Sequence, residues 1–182
     1  MADELKKIAF LVASEGIEQV ELTDPWAHLE KAGAQPRLLA PKLGQVRGFH
    51  HLDPADAFDV DVPFAHADPA DYDAVVLPGG VANADFLRLD KDAVAFVKAH
   101  VAAGKPIAAI CHGPWLLVEA DVVRGKRVTS FPSLRTDLRN AGADWADEEV
   151  RVCDAHGWTL VTSRNPDDLA AFDEAATTAF GL

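Results

Sequence analysis

Cysteine is scarce in this chain: two in 182 residues, far apart and with no CxxC pair. That spacing excludes a disulfide-built scaffold and offers no zinc pattern. Basic residues are also in short supply, 17 Lys and Arg against 29 Asp and Glu, for a net charge of −12. No basic run is longer than a few residues, which argues against sustained binding to nucleic acid or an anionic membrane, since neutralising phosphates takes clustered Lys and Arg. No apolar stretch approaches the ~18 residues of a membrane span. The opening MADELKK passes straight into an apolar strand, without the basic, hydrophobic and small-residue regions of a signal peptide, so a cytoplasmic protein is expected.

What the chain does have is alternation. Residues 7–13 (KIAFLVA) form a continuous apolar run, as in a strand buried on both faces. Leu22, Trp26 and Leu29 follow at helical spacing, with Gly33 as the stop. Asp24-Pro25 reads as N-cap and first helical residue, which leaves Glu18 and Glu21 in the preceding loop. A second strand falls at 35–40, and the weakly patterned stretch from Gly44 to Pro69 reads as short strands and loops. Residues 73–77 (DAVVL) are a strand ending at Pro78-Gly79-Gly80, and one helix is expected through Phe86, Leu89, Ala93, Val97 and Val101 to Gly104. Residues 106–110 (PIAAI) give a further strand, leading into Cys111-His112-Gly113 and a helix opened by Pro114. Beyond it lie a strand at 127–129, a short helix at 133–140, strands near 148–153 and 158–162, and a final helix over about 167–179. Strand–helix alternation of this kind predicts a mostly parallel sheet covered on both faces, in one domain over residues 1–182.

In such sheets ligands bind at the carboxyl ends of strands, near a topological switch point. Two turns of special composition lie at such ends, Pro78-Gly79-Gly80 and Cys111-His112-Gly113-Pro114. The second has the layout of a nucleophile elbow, with small Ala109 and Gly113 flanking Cys111 where the G-x-S-x-G pattern has glycine. A thiol at a helix N-terminus faces the positive end of the backbone dipole, so a thiolate at Cys111 is expected to be favoured. The amides of His112 and Gly80 are placed to stabilise an oxyanion, with Gly79, Gly113 and Trp115 lining the pocket. Adjacent Cys and His side chains diverge from an elbow, so His112 need not touch the sulfur.

At these residues the sequence resembles the PfpI-type intracellular protease family, within the superfamily of the Parkinsonism-associated deglycase. The matching stretches are IEQVEL at 17–22, VVLPGG at 75–80, AAICHGPWLLVEADVVRGKRVTS at 108–130, NAGADWADEEV at 140–150 and LVTSRNPDDLAAF at 160–172. The resemblance implies a flavodoxin-like three-layer α/β sandwich, Cys111 as nucleophile and His112 as its neighbouring histidine. It implies Glu21 as the acid beside the sulfur and Glu18 as the second carboxylate of that motif. It also implies homodimers, or hexamers built from them, in which Asp85 reaches the histidine of the neighbouring subunit. Many peptidase-like members have tyrosine where this chain has Phe131, so a hydroxyl near the cysteine is missing.

The remaining candidates carry less. Cys153, in the strand VRVCD, reads as structural. His50-His51, His66 and His156 lack metal-ligand spacing, so no metal is expected. The four tryptophans read as packing residues, with Trp115 also placed at the pocket rim. Gly79-Gly80 lacks a GxGxxG or Walker pattern, so no cofactor is expected. A glutamine amidotransferase needs a late His-x-Glu pair, whereas His156 is followed by Gly157-Trp158. The function expected is a cofactor-independent, cysteine-dependent stress-protection enzyme acting on reactive carbonyls: methylglyoxal, other small oxoaldehydes, or early glycation adducts. The alternatives are an intracellular cysteine peptidase, or a redox-sensing or chaperone-like protein in which Cys111 is oxidised without turnover.

Overall fold

The computed structural model describes residues 5–182. Its main sheet has seven strands: β1 (Lys7–Leu11), β3 (Gln35–Ala40), β6 (Val62–Pro63), β7 (Ala74–Leu77), β8 (Ile107–Ile110), β11 (Val150–Cys153) and β12 (Leu160–Ser163). They lie in the order β11-β12-β8-β7-β1-β3-β6, and every pairing is parallel except β11–β12. A small sheet joins β2 (Glu15–Glu18) to the hairpin of β4 (Gln45–His50) and β5 (Asp53–Asp59), and β9 (Arg127–Val128) pairs with β10 (Asp144–Trp145).

The continuous apolar runs explain the layers. Ala9, Leu11, Val75, Leu77, Ile107 and Ala109 point to one face of the sheet, where they meet Phe96 and Val97 of α3 (Lys91–Ala102) and Leu116 and Leu117 of α4 (Pro114–Glu119). Their neighbours Ile8, Phe10, Val76, Ala108 and Ile110 point to the other, against Leu22 and Leu29 of α1 (Gln19–Lys31) and Phe172 and Ala176 of α6 (Leu169–Phe180). Each fully buried Leu, Ile or Phe contributes about 1.5–3 kcal/mol relative to leaving it in water. A sheet clad on both faces by helices is the flavodoxin-like three-layer architecture expected.

Two element boundaries differ from the sequence reading. Helix α1 begins at Gln19, so Pro25 lies inside it and Glu21 is in its first turn. Burial of Glu21, Leu22, Pro25 and Leu29 along one side outweighs the preference of proline for a helix start. The single helix expected from Phe86 to Val101 is two, α2 (Val81–Leu87) and α3. The Asp90 side chain ends that continuity by accepting the amides of Asp92 and Ala93 at 2.9 and 3.0 Å, an N-cap to α3. Phe86 and Leu89 consequently point into solvent instead of joining the core. The short α5 (Arg135–Asn140) follows a 3-10 turn at Pro132–Leu134.

Candidate active site

Chain order turns back on itself at β1, which has β3 on one side and β7 on the other. The carboxyl ends of β1, β7 and β8 therefore converge on one crevice, the place where open α/β sheets bind ligands. Glu21 enters it from α1, Gly79 and Gly80 from the loop after β7, and Cys111 from the turn after β8.

Cys111 has φ of +62°, a left-handed conformation that costs a non-glycine residue roughly 1–2 kcal/mol. The elbow expected from the sequence is thus present. Its amide bonds Ser163 at 3.1 Å and its carbonyl accepts the Phe131 amide at 2.9 Å, pinning the turn between β12 and the segment beyond β9. A Cβ at Gly113 would overlap the Leu77 carbonyl oxygen, which explains why the helix entry needs glycine. The residue is only 7% exposed, yet polar groups surround the sulfur. The backbone N–H groups of Gly80 and His112 and the Glu21 carboxyl lie close enough to act on it electrostatically, and the His112 Nδ1 lies 3.2 Å from Sγ.

Glu21 has no exposed surface. Its Oε2 accepts the Gly79 amide at 2.8 Å, while Oε1 is buried with no partner at ordinary hydrogen-bond geometry. Burial, reinforced by the nearby charge of Glu18, pushes the Glu21 carboxyl up to about 8, although the Gly79 amide pulls the other way. At neutral pH it carries a proton. Gly79 has no room for a side chain: a Cβ there would overlap the Glu21 carboxyl and lie 2.6 Å from the Cys111 Cβ. Asn83 was not singled out in the sequence, yet it fixes this loop. Fully buried, it accepts the Ala13 amide at 2.7 Å and donates to the carbonyls of Pro78 and Gly79 at 3.2 and 3.0 Å. The only cue in the sequence was an amide side chain three residues after a Gly-Gly turn.

The electrostatics correct the expectation of a favoured thiolate. Burial first, and then the Glu21 carboxyl, push the Cys111 thiol up, and the two amides only partly offset them. Each negative charge would raise the other group, so Cys111 and Glu21 do not ionise together. A thiolate forms here only beside a protonated Glu21, which then offers the sulfur or a bound oxygen a proton.

His112, which the elbow does not oblige to reach the sulfur, nevertheless touches it. Its ring stacks on Phe131 at 4.7 Å between centroids and meets Trp115 edge-on at 5.3 Å. Burial lowers its pKa, which leaves the imidazole neutral at neutral pH. Trp115 is half-buried, with its indole N–H bonding Asp137 at 2.8 Å.

The other expected residues are spread around this centre. Glu18 is the N-cap residue of α1 and accepts the His51 amide at 3.2 Å. The amides of Gly79 and Gly113 are spent on Glu21 and the Ile110 carbonyl, whereas the Gly80 amide lowers the Cys111 thiol pKa against the effect of burial. Asp85 is exposed on α2 and has no hydrogen bond or ion pair among the described residues. Cys153 is buried and accepts the Arg127 amide at 3.3 Å. Burial raises its pKa, but that amide, the Ala155 amide and the Lys126 ammonium outweigh it and hold the thiol below the ordinary value. Lys126, fully buried, donates to the carbonyls of Cys153, Ala155 and Trp158. A cleft of about 280 Å³ between α1 and β5, lined by Leu22, Trp26 and Phe58, shares none of the catalytic side chains. Among the described residues, no three His, Cys, Asp or Glu side chains group as a metal site, and no helix is long and apolar enough to cross a membrane.

Known proteins match this chain over nearly its whole length. The DJ-1/PfpI family profile matches residues 6–179. Protein/nucleic acid deglycase 2 of Escherichia coli is 40% identical over 177 residues, 97% of this chain and 98% of that protein. YraA of Bacillus subtilis, whose name provisionally describes a cysteine protease, is 41% identical over 169 residues, 92% of this chain and 94% of that one. Among solved structures, a two-domain protein of Anabaena variabilis joins a dj-1/thij/pfpi-like domain to a ferritin-like one. It superposes with a TM-score of 0.87 at 35% identity, covering 97% of this chain and 48% of that chain.

Proposed function

Because the chain belongs to the DJ-1/PfpI family, we propose that it is a stress-protection enzyme in which Cys111 attacks reactive carbonyls, either free 2-oxoaldehydes such as methylglyoxal or their early adducts on amines. The observation that carries this reading is the position of the Cys111 sulfur, with a neutral imidazole 3.2 Å away on one side and a buried, protonated carboxyl on another. The deglycase name of the Escherichia coli relative supports the substrate class.

The groups suggest a balanced sequence of steps. His112 Nδ1 takes the thiol proton as Sγ bonds to the aldehyde carbon. The carbonyl π pair moves to oxygen, which takes the proton of Glu21, giving a hemithioacetal. The Glu21 carboxylate takes the proton of that carbon while the neighbouring ketone oxygen takes one from the His112 imidazolium, giving an enediol. Glu21 then returns its proton to the adjacent carbon as the hydroxyl on the sulfur-bearing carbon gives its proton to His112, which leaves the thioester of a 2-hydroxy acid. Water then releases a 2-hydroxy acid and the thiol. No external oxidant or reductant is consumed.

The Asp85 side chain has no hydrogen-bond or ion-pair partner among the described residues. It lies on α2 beside exposed Val81 and Phe86, with Leu89 just beyond, an acid on an apolar surface suited to a homodimer contact. In this reading Asp85 approaches His112 of a second copy and acts on the ring by its charge, since both ring nitrogens have partners in their own chain.

A peptidase is the second reading, favoured by the direct Cys111–His112 contact and by the name of YraA. One assay series separates them: lactate formed from methylglyoxal, amine released from glycated peptides, and casein cleavage, each with Cys111→Ser alongside. Lactate formation that disappears in a folded Cys111→Ser protein supports the carbonyl reading. Cleavage of casein without lactate favours the peptidase, and turnover retained by Cys111→Ser refutes both.

A further inference from the structure

The His112 ring has two nitrogens, and the second also has a partner: Ser133 Oγ lies 3.3 Å from Nε2, while Nδ1 faces Cys111 Sγ at 3.2 Å. We propose that Ser133 is a positioning residue whose hydroxyl oxygen accepts the Nε2–H of His112, fixing the tautomer whose bare Nδ1 receives the Cys111 proton, so that cysteine, histidine and hydroxyl form one chain of contacts within a subunit. The inference deepens the cysteine-centred reading above and rests on it.

Donor and acceptor accounting selects this direction. A neutral thiol has one proton to give, and Glu21, itself protonated, is a poor acceptor. Nδ1 is then the acceptor within reach, so the ring hydrogen sits on Nε2, and Ser133 Oγ is what it meets. When the thiol proton moves to Nδ1, the imidazolium keeps its Nε2–H bonded to Ser133, and that bond strengthens because its donor is now charged. The logic is that of a third group holding the base of a triad in one tautomer, with a neutral hydroxyl in place of a carboxylate.

The segment that carries Ser133 is tied to the elbow. The Phe131 amide bonds the Cys111 carbonyl at 2.9 Å, its carbonyl accepts the Ser130 hydroxyl at 2.9 Å, and Trp145 Nε1 holds that hydroxyl at 2.9 Å. Pro132 opens the 3-10 turn, and the Leu134 amide closes it on Phe131 at 3.0 Å. The same short stretch therefore lays the Phe131 ring on the imidazole and brings a hydroxyl to its far nitrogen. Phe131 has no hydroxyl of its own, and Ser133 provides one two residues later. The charged groups around the ring are Glu21 beyond the sulfur, and Arg88 and Asp137, which reach it only through Trp115.

The test reads the tautomer directly, without substrate. In 15N spectra, His112 of the unaltered protein is expected as a single Nε2–H tautomer, Ser133→Ala as a mixture, and Ser133→Thr as the single form again. Alkylation of Cys111 by iodoacetamide, followed by mass spectrometry across pH, is expected to slow about three- to tenfold at neutral pH in Ser133→Ala, the loss of one neutral hydrogen bond, and to recover in Ser133→Thr. Ser133 is exposed, so the alanine variant is expected to keep a native amide spectrum. His112 shifts unchanged in Ser133→Ala overturn the proposal, and so does a tautomer change produced by Asp85→Ala instead. The 15N result stands whether or not Cys111→Ser abolishes turnover, so failure of the carbonyl reading and failure of this one are distinguishable.

Discussion

Glu21 ties chemistry to stability through one proton. Its carboxyl has no exposed surface and titrates at about 8, against 4.5 for the free side chain. The folded state holds the acid neutral, so nothing is lost below about pH 4.5, where the unfolded chain is protonated too. As pH rises from there to about 8 the unfolded chain gains from ionising while the folded one does not, and stability falls. Glu21→Gln removes that loss while keeping an acceptor for the Gly79 amide. It is expected to match the unaltered protein in urea unfolding at pH 4.5 and to exceed it at pH 9, by on the order of 4 kcal/mol. Lactate formation is expected to drop about a hundredfold, the usual worth of a general acid. Equal stability at both pH values would mean that the carboxyl titrates normally. Cys111, His112 and Glu21 were all legible in the sequence because each sits in a distinctive local string. The charge state of the thiol was not legible, because burial and a carboxyl 90 residues away in the chain decide it. Ser133 and Asn83 escaped notice for a similar reason: a hydroxyl or an amide in an ordinary polar stretch acquires its role only when the fold sets it against His112 or the Gly-Gly loop.

At the scale of elements, the packing of α1 on α6 places two carboxyls together. Asp173 of α6 is buried, its Oδ1 lacks a partner, and burial followed by the charge of Asp24 on α1 pushes it up to about 7. It too is an acid with a raised folded pKa, so this helix contact is strongest below about pH 4 and weakens as pH climbs to about 7. Asp173→Asn is expected to raise the thermal midpoint at pH 8, corresponding to about 1–3 kcal/mol, and to leave it nearly unchanged at pH 4. A lower midpoint at pH 8 would show that the carboxylate is stabilised by groups other than Asp24. The strands of the main sheet were readable because parallel strands buried on both faces are uninterrupted apolar runs, as in Ala74–Leu77 and Ile107–Ile110. The start of α1 was misplaced because Asp24-Pro25 is a good local cap, and only tertiary burial of Glu21 and Leu22 shows that the helix is already under way. The break before α3 was hidden because Phe86 and Leu89 continue an apolar spacing whose side chains face outward.

Those outward-facing residues matter at the scale of the whole molecule. Single apolar residues on a surface are common, but exposed Val81, Phe86 and Leu89 lie close in sequence to Asp85, whose side chain has no partner among the described residues. If Asp85 serves the His112 of a second copy, each active site needs Cys111 from one chain and Asp85 from another. Phe86→Glu, which sets like charges against each other across a symmetric contact, is expected to shift the protein to monomers in sedimentation velocity and to reduce turnover as far as Asp85→Ala does. Mixing isolates the point further. Homodimers of Cys111→Ser have no nucleophile, and homodimers of Asp85→Ala have no acid. A mixed dimer has one site with neither residue and one with both. Co-refolded in equal amounts, half of the dimers are mixed and half of their sites are whole, so activity is expected to return to about a quarter of the unaltered level. An Asp85 that acts within its own subunit, or not at all, gives no gain over the two variants assayed separately, and the crossing of this acid between subunits would then be ruled out.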